Sequence, residues 1–530
     1  MESSVMKKSR SQTRNRSMAL CASGAAVLCT VLSGCNVGPK YVPPATTAPP
    51  AYKESPAAYK ETGDNPSGQW MVAQPQDAAL RGKWWEIYNE PDLNALEEQL
   101  NVDNQNIRES FENFMESRAL VREARAQYFP TLSVGPSYTR AQGSSNIGSS
   151  SAAAGSSGVS SQGVTTPGQS QSFSLPADVS WAPDFWDKVR NTVREQQYSA
   201  QASAADLALE QLTEQADLAE DFFEIRGQDA MQVILDNTVD ADKKSLASEQ
   251  VRYDSGVDDQ ISLVEAQTTL ASAQSAAINN HIARAQFEHA IAMLIGKPAS
   301  DFSVPVVPKT SAPPRIPTGL PSELLERRPD VAAAERTMAS ANAAIGVAYA
   351  AYYPSVTLSG SAGYEASAIG KIFDTASRFW SVGPALSETV YDGGLRRATV
   401  NQFIATYNAD LAAYRQSVLV AIQQVEDGLA EVRILSQQIV RQQEAVSWAQ
   451  KALEMEQARY DTGIDPYIDL EAAQTTLYGD QLTLAELEIE QMTDSVALIQ
   501  ALGGGWNQSQ LPTPTQITAK PSHADTKIQH

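Results

Sequence analysis

Tyr253-Asp-Ser-Gly-Val-Asp-Asp-Gln-Ile-Ser-Leu-Val-Glu-Ala-Gln-Thr-Thr-Leu270 returns, without a gap, as Tyr460-Asp-Thr-Gly-Ile-Asp-Pro-Tyr-Ile-Asp-Leu-Glu-Ala-Ala-Gln-Thr-Thr-Leu477. Eleven of these eighteen columns are identical at an offset of 207. The same offset lays Leu294-Ile-Gly296 on Ala501-Leu-Gly503. Upstream, Ala126-Gln-Tyr-Phe-Pro130 matches Ala350-Ala-Tyr-Tyr-Pro354 at 224, and Trp186-Asp187 matches Tyr391-Asp392 at 205. The length differences therefore lie in loops between landmarks. The chain is a duplication, and each copy should be one supersecondary unit.

Each copy reads helix, strand, loop, strand, long helix, turn, helix. In the second copy no proline occurs from 394 to 460, and Leu411, Tyr414, Val418, Ile422, Val425, Leu429, Val432 and Ile439 step mostly by three and four. That is a helix with a narrow apolar seam, reaching ~98 Å if unbroken at 1.5 Å per residue. The first copy has a matching helix from about Lys188 to Tyr253, with Gly227 and Gly428 as the candidate breaks in the two helices. Gly256 and Gly463 follow Tyr253 and Tyr460 by three residues, where glycine tolerates the left-handed turn that ends a helix. Each copy thus holds a helical hairpin with its tip at Tyr-Asp-(Ser/Thr)-Gly. Return helices run from about Ser262 to Leu294 and from Asp469 to Leu502.

Strands lie at the other end of each copy. Val356, Leu358, Gly360, Ala362 and Tyr364 alternate with Ser355, Thr357, Ser359, Ser361 and Gly363; Trp380, Val382, Pro384 and Leu386 alternate with Ser381, Gly383, Ala385 and Ser387. Leu132, Val134 and Tyr138, then Phe173, Leu175, Val179 and Trp181, do the same in the first copy. One apolar, aromatic-ended face and one small, hydroxylated face suit a transmembrane barrel with a wet interior. Four strands cannot close a barrel, and an open edge in lipid leaves backbone groups unsatisfied. Copies must share a wall: two would supply eight strands and three would supply twelve.

The N-terminus reads as an address. Lys7, Lys8, Arg10, Arg14 and Arg16 precede an apolar run, Met18 to Leu32, that is short for a membrane span, as in a secretory signal. It ends in Leu32-Ser33-Gly34-Cys35, which resembles the lipobox of bacterial lipoproteins, followed by Asn36. That resemblance implies cleavage after residue 34, acylation of Cys35 and sorting to the outer membrane. Cys21 and Cys29 leave with the signal, so no thiol or disulfide remains.

The 530 residues carry 40 basic and 62 acidic groups, a net charge of −22. Removing five basic residues and Glu2 leaves 35 against 61, or −26. Such a surface repels phosphates, so nucleic acid is excluded as a partner. His281 and His289, two turns apart, miss metal-pair spacing, and no phosphate loop or nucleophile elbow occurs. The chain reads as a non-enzyme without cofactor or metal.

Val37-Gly38-Pro39-Lys40-Tyr41, Trp84-Trp85, Asn89-Glu-Pro-Asp-Leu93 and Glu326-Arg-Arg-Pro-Asp-Val331, with the two Tyr-Asp-x-Gly tips, resemble the TolC-like outer-membrane factors, specifically the NodT-type efflux lipoproteins. The likeness covers roughly residues 35 to 505. It implies a mainly α fold with a transmembrane β-barrel: a homotrimer with a 12-stranded barrel and a periplasmic α-barrel. It also implies docking onto a periplasmic adaptor and an inner-membrane pump of the resistance-nodulation-division type. The expected function is an outer-membrane exit duct for drugs or other small molecules. The same conduit could serve type I protein secretion; a coiled-coil lipoprotein without a duct would lack the amphipathic strands.

The resemblance places a gate at the helical tips, with an apolar constriction at Ile468 and an acidic ring at Asp469. A further acidic position of some members falls on Ala472; Glu265 and Glu471 are the nearby replacements. The alternative role for Asp469 is an N-cap of its helix. The adaptor surface is expected at Tyr253, Gly256, Asp258, Tyr460, Gly463 and Asp465, with Asp259 adding to an acidic rim; the alternative for the tyrosines is packing of the hairpins. The organisation is then a signal (1–34), a lipidated tether (35–80), two repeats (81–300 and 301–504) and a disordered tail (505–530), with 141–170 as a flexible external loop.

Overall fold

The computed structural model describes residues 37–44, 49, 52–54, 82–142, 169–308, 312–314, 316 and 323–519. Cys35, the signal and most of the Ser/Gly-rich loop lie outside these residues. The helices are α1 (Pro91–Asp103), α2 (Gln105–Ala126), α3 (Lys188–Asp254), α4 (Gln260–Leu294), α5 (Pro329–Ala350), α6 (Leu395–Asp461) and α7 (Tyr467–Ala501). The strands are β1 (Thr131–Val134), β2 (Ser137–Gln142), β3 (Gln169–Trp181), β4 (Ser355–Ala366) and β5 (Arg378–Ser387). The described residues form two compact units, one from those within 37–41, 120–196 and 340–407, the other from the rest.

The first unit holds one antiparallel sheet. Both β1 and β2 pair with β3, then β3 with β4 and β4 with β5. One expected strand is thus two, because Pro136 has no N–H for the ladder. Gly135 N–H still donates to Pro176 O at 3.3 Å, so β1 and β2 form one interrupted edge. The register aligns every strand's apolar set on one face: Leu132 opposes Val179, Val179 opposes Gly360, and Gly360 opposes Val382. Ser133, Asp178, Ser361 and Ser381 line the other. The apolar face is bare, with Trp380 77% and Val382 78% exposed. From Phe173 to Trp181 the band runs roughly 26 Å along the strand, matching hydrocarbon dimensions. Aromatic pairs stand at its limits: Tyr138 and Phe173 at 4.7 Å, and beyond the other end Trp186 stacked on Tyr353 at 4.8 Å.

Helices α3 and α6 are each 67 residues without interruption. Gly227 and Gly428 do not break them. Each lies where another helix comes close, an added Cβ meeting Ile489 at 2.2 Å and Leu498 at 3.3 Å. The main core gathers Trp84, Trp85, Leu93 and Leu100 with Phe222 and Ile225 of α3, Ile291 of α4 and Val496 of α7. Full burial of each large side chain contributes about 1.5–3 kcal/mol.

The duplication persists in detail. Asn104 Nδ2 donates to Leu294 O at 2.9 Å, and Arg328 Nη1 donates to Ala501 O at 3.0 Å. These are equivalent residues at offsets of 224 and 207. Gly296 and Gly503 then pass so near the carbonyls of Asp103 and Arg327 that a Cβ would lie 2.5 and 2.1 Å away. The Glu-Arg-Arg-Pro-Asp motif is therefore a clamp on the return helix, with Pro329 as its first helical residue. No described helix is long and apolar enough to cross a membrane.

Two expectations need correction. The tail is ordered through residue 519: Thr513 forms a capping box with Gln516, and Ile517 is buried. Arg118 donates to the carbonyls of Gln516, Ile517 and Ala519. Low hydropathy concealed its few apolar anchors, since Trp506 and Leu511 also pack against Ala205, Ala332 and Ala333; 520–530 lie outside the described residues. Within 141–170, Ala141, Gln142, Gln169 and Ser170 extend β2 and β3 rather than the loop. In the tether stretch, Lys53 and Glu54 donate backbone N–H groups to Glu426 at 2.7 and 2.9 Å, and Glu54 pairs with Arg433 at 2.6 Å.

Candidate functional site at the hairpin tips

Each tip closes by the same means. Gly256 and Gly463 adopt φ of +69° and +74°, the left-handed region that favours glycine. Val257 N–H donates to Arg252 O and Ile464 N–H to Arg459 O, both at 2.9 Å, capping the outgoing helix. An ion pair then staples each turn: Arg252 to Asp258 at 2.9 Å, and Arg459 to Asp465 through Nη2 at 2.8 Å. The two acids expected to form a bare acidic rim are thus engaged within their own turns. Asp259, also placed there, caps α4, accepting from Ile261 N–H and Ser262 N–H.

Asp469 is not a cap. Pro466 holds that position, and Asp469 is the third residue of α7, exposed beside the 54% exposed Ile468. Its carboxylate gathers with those of Glu456 and Asp465 within 4.8 Å. Hydrogen bonds from Arg459 hold Asp465 below its ordinary range, while Glu456, hydrogen-bonded to Asp465, is raised. Arg459 supplies the cation that lets three carboxyls sit together.

The tips are joined within the chain. Tyr460 is 3% exposed, and its hydroxyl donates to Glu249 of α3. Arg252 lies over the Tyr460 ring, 4.7 Å from its centroid. Tyr467 and Leu470 complete a small core with Ala266. Burial first, and then the charge of Asp258, raises Glu249. Tyr460 therefore packs the hairpins, whereas Tyr253, its counterpart, is 39% exposed. Glu471 accepts from Thr269 of α4, so its carboxylate ties two helices together. Glu265 is half-buried beside the fully buried Ala266.

Glu249, Arg252, Glu456 and Arg459 escaped the sequence reading. The signal was present just upstream of the quoted repeat, where Glu249-Gln-Val-Arg252 matches Glu456-Gln-Ala-Arg459 at the same offset.

A long duplicated hairpin with a lipid-matched sheet has relatives. The sequence profile described as "Outer membrane efflux protein" matches residues 96–297 and 320–504. The chain belongs to that family. It is an outer-membrane efflux channel with a large periplasmic helical part; the family is one of ducts, not enzymes. It is 28% identical over 489 residues to the solvent efflux pump outer membrane protein SrpC of Pseudomonas putida, covering 91% of this chain and 97% of that one. Against the pyoverdine export outer membrane protein OpmQ of Pseudomonas aeruginosa it is 27% identical over 444 residues, 83% and 91% of the two lengths. The outer-membrane channel OprN superposes with a TM-score of 0.77 at 28% identity, over 89% of this efflux channel and 100% of that chain. The Campylobacter jejuni CmeC channel gives 0.78 at 18%, over 93% and 99%, a likeness of fold alone.

Proposed function

We propose that three copies of this efflux channel close their sheets into one 12-stranded barrel, and that their paired hairpins form a periplasmic tube gated at the tips. The observation that carries this reading is the sheet itself. It ends in β1–β2 on one side and β5 on the other, with one continuous bare apolar face. Closing those edges in lipid spares each backbone group several kcal/mol. The lipobox adds a second hold: acylated Cys35 anchors the chain, each buried methylene contributing about 0.8 kcal/mol.

The duct serves an adaptor and an inner-membrane pump of the resistance-nodulation-division type. It carries small organic molecules, the cargo class named for relatives that export solvents, toluene, antibiotics and pyoverdine. Tyr253, Gly256, Asp258, Tyr460, Gly463 and Asp465 shape the turns offered to the adaptor. Ile468 and Asp469 form the constriction, three carboxylates repelling one another and drawing cations. Glu265 is the candidate for a second acidic ring, since Glu471 is occupied by Thr269.

Single-channel recording tests the gate. Asp469→Ala is expected to raise conductance in planar bilayers and to increase uptake of a large antibiotic by cells carrying the channel. Conductance and uptake equal to the native protein's would remove Asp469 from the gate.

A further inference from the structure

A contact between the two copies inside one chain implies, by the duplication, a counterpart pair with the two copies exchanged. At the tips the internal contact is Tyr460 against Arg252 and Glu249. An offset of 207 converts Arg252 to Arg459 and Glu249 to Glu456, and relates Tyr460 back to Tyr253. The converted residues are under-used. Tyr253 is 39% exposed where Tyr460 is 3%, and its hydroxyl has no hydrogen bond among the described residues. The Arg459 side chain is 55% exposed where Arg252 is 25%. Among the described residues no group donates a hydrogen bond to Glu456 Oε1, whose carboxyl lies against Asp465.

The surrounding surface repeats the asymmetry. Tyr467 and Gln474 of α7 are buried, Gln474 donating to Ser245 of α3 at 3.4 Å. Their counterparts on α4, Gln260 and Gln267, are exposed.

An independent pair in the other unit behaves alike. Trp186 stacks on Tyr353 at 4.8 Å and 23°. The landmark offsets of 205 and 224 convert these residues to Tyr391 and Phe129. Tyr391 is 89% exposed and Phe129 is 70% exposed.

We infer that each Tyr253 is clasped by Arg459 and Glu456 of the partner subunit, and that Tyr391 stacks on Phe129 of the partner subunit. The boundary between chains thereby reproduces the boundary between copies within a chain. The clasp rests on the closed assembly proposed above. Its chemistry is that of the internal contact: a guanidinium over a phenol ring, with the hydroxyl donating to a carboxyl oxygen that no donor of its own chain reaches. A closed ring built from duplicated hairpins alternates first and second copies, so each junction meets its quasi-equivalent at the next position.

Cysteine cross-linking in the full-length channel in native membranes tests this. Under mild oxidation, a Tyr253→Cys/Glu456→Cys chain is expected to shift to two and three times the chain mass on denaturing gels. A Glu249→Cys/Tyr460→Cys chain should oxidise within itself and stay at single mass. Tyr391→Cys/Phe129→Cys, at exposed positions that the chain does not need for packing, should shift like the first pair. A native mass of three chains with both boundary pairs remaining single while the internal pair oxidises would overturn the clasp and leave the trimer standing. A native mass of one chain would overturn the assembly and the clasp together.

Discussion

Gly227 of α3 lies so close to Ile489 of α7 that a β-carbon at 227 would sit 2.2 Å from the isoleucine's Cδ1. The glycine that looked like a break in the helix is the point where a neighbouring helix is admitted. Gly227→Ala should destabilise the channel by about 1–3 kcal/mol, the usual cost of overpacking. A second change, Ile489→Ala, should recover part of that loss. Gly428→Ala meets Leu498 only at 3.3 Å and gains up to about 1 kcal/mol in helix propensity, so it should be neutral or stabilising. Thermal unfolding followed by circular dichroism separates the two sites.

The Tyr460–Glu249 bond can be removed without disturbing the ring. Tyr460→Phe leaves a buried carboxyl short of its donor, at about 1–3 kcal/mol. Amide exchange through the second tip should accelerate, and uptake of a large antibiotic should rise. Native exchange and uptake in the variant would mean that the tips do not depend on this bond.

Acidity should stabilise this protein down to mildly acidic pH. Burial raises Glu220 and Asp221 of α3 to about 7, neighbouring carboxylates adding to the effect, and Asp494 of α7 to about 6. Glu97 of α1 is fully buried with neither oxygen bonded, and desolvation raises it strongly. The folded state holds these protons more tightly than the unfolded chain. Their contribution is complete below the unfolded carboxyl range, about pH 4, and is lost as pH rises to about 7. Stability to guanidinium should therefore fall between about pH 4 and 7. Glu97→Met should flatten part of that slope and raise stability at the alkaline end.

Much of this architecture was legible because duplication and periodicity are one-dimensional signals. The long helices end within about two residues of where proline, glycine and the apolar seam put them. The inward and outward strand faces follow from alternation, which the ladder preserves. Other features depended on proximity between distant residues. Nothing local distinguishes Gly227 as a packing glycine, since its reason is Ile489, far along the chain. Capping stood as the alternative to a gate at Asp469 because aspartate commonly caps; Pro466 took that place, and Asp259 alone of the two equivalents caps with its side chain. The polar tail looked structureless because its anchors are held from far upstream: Trp506 and Leu511 pack against Ala205 and Ala332, and the buried Ile517 is held by Arg118.

That anchor gives a local prediction. Ile517→Asp would bury an unpaired charge and should release the tail, exposing residues 505–519 to proteolysis. Thr513→Ala should cost about 1 kcal/mol through loss of the capping box. Limited proteolysis with mass detection reads both. A cleavage pattern unchanged by Ile517→Asp would contradict the anchoring role.

The most direct measurement is native mass spectrometry of the detergent-extracted channel, with the same sample fused into planar lipid. A mass of three acylated chains, and discrete conductance steps that grow with Asp469→Ala, are expected. A folded single chain that never conducts would contradict a wall shared among copies.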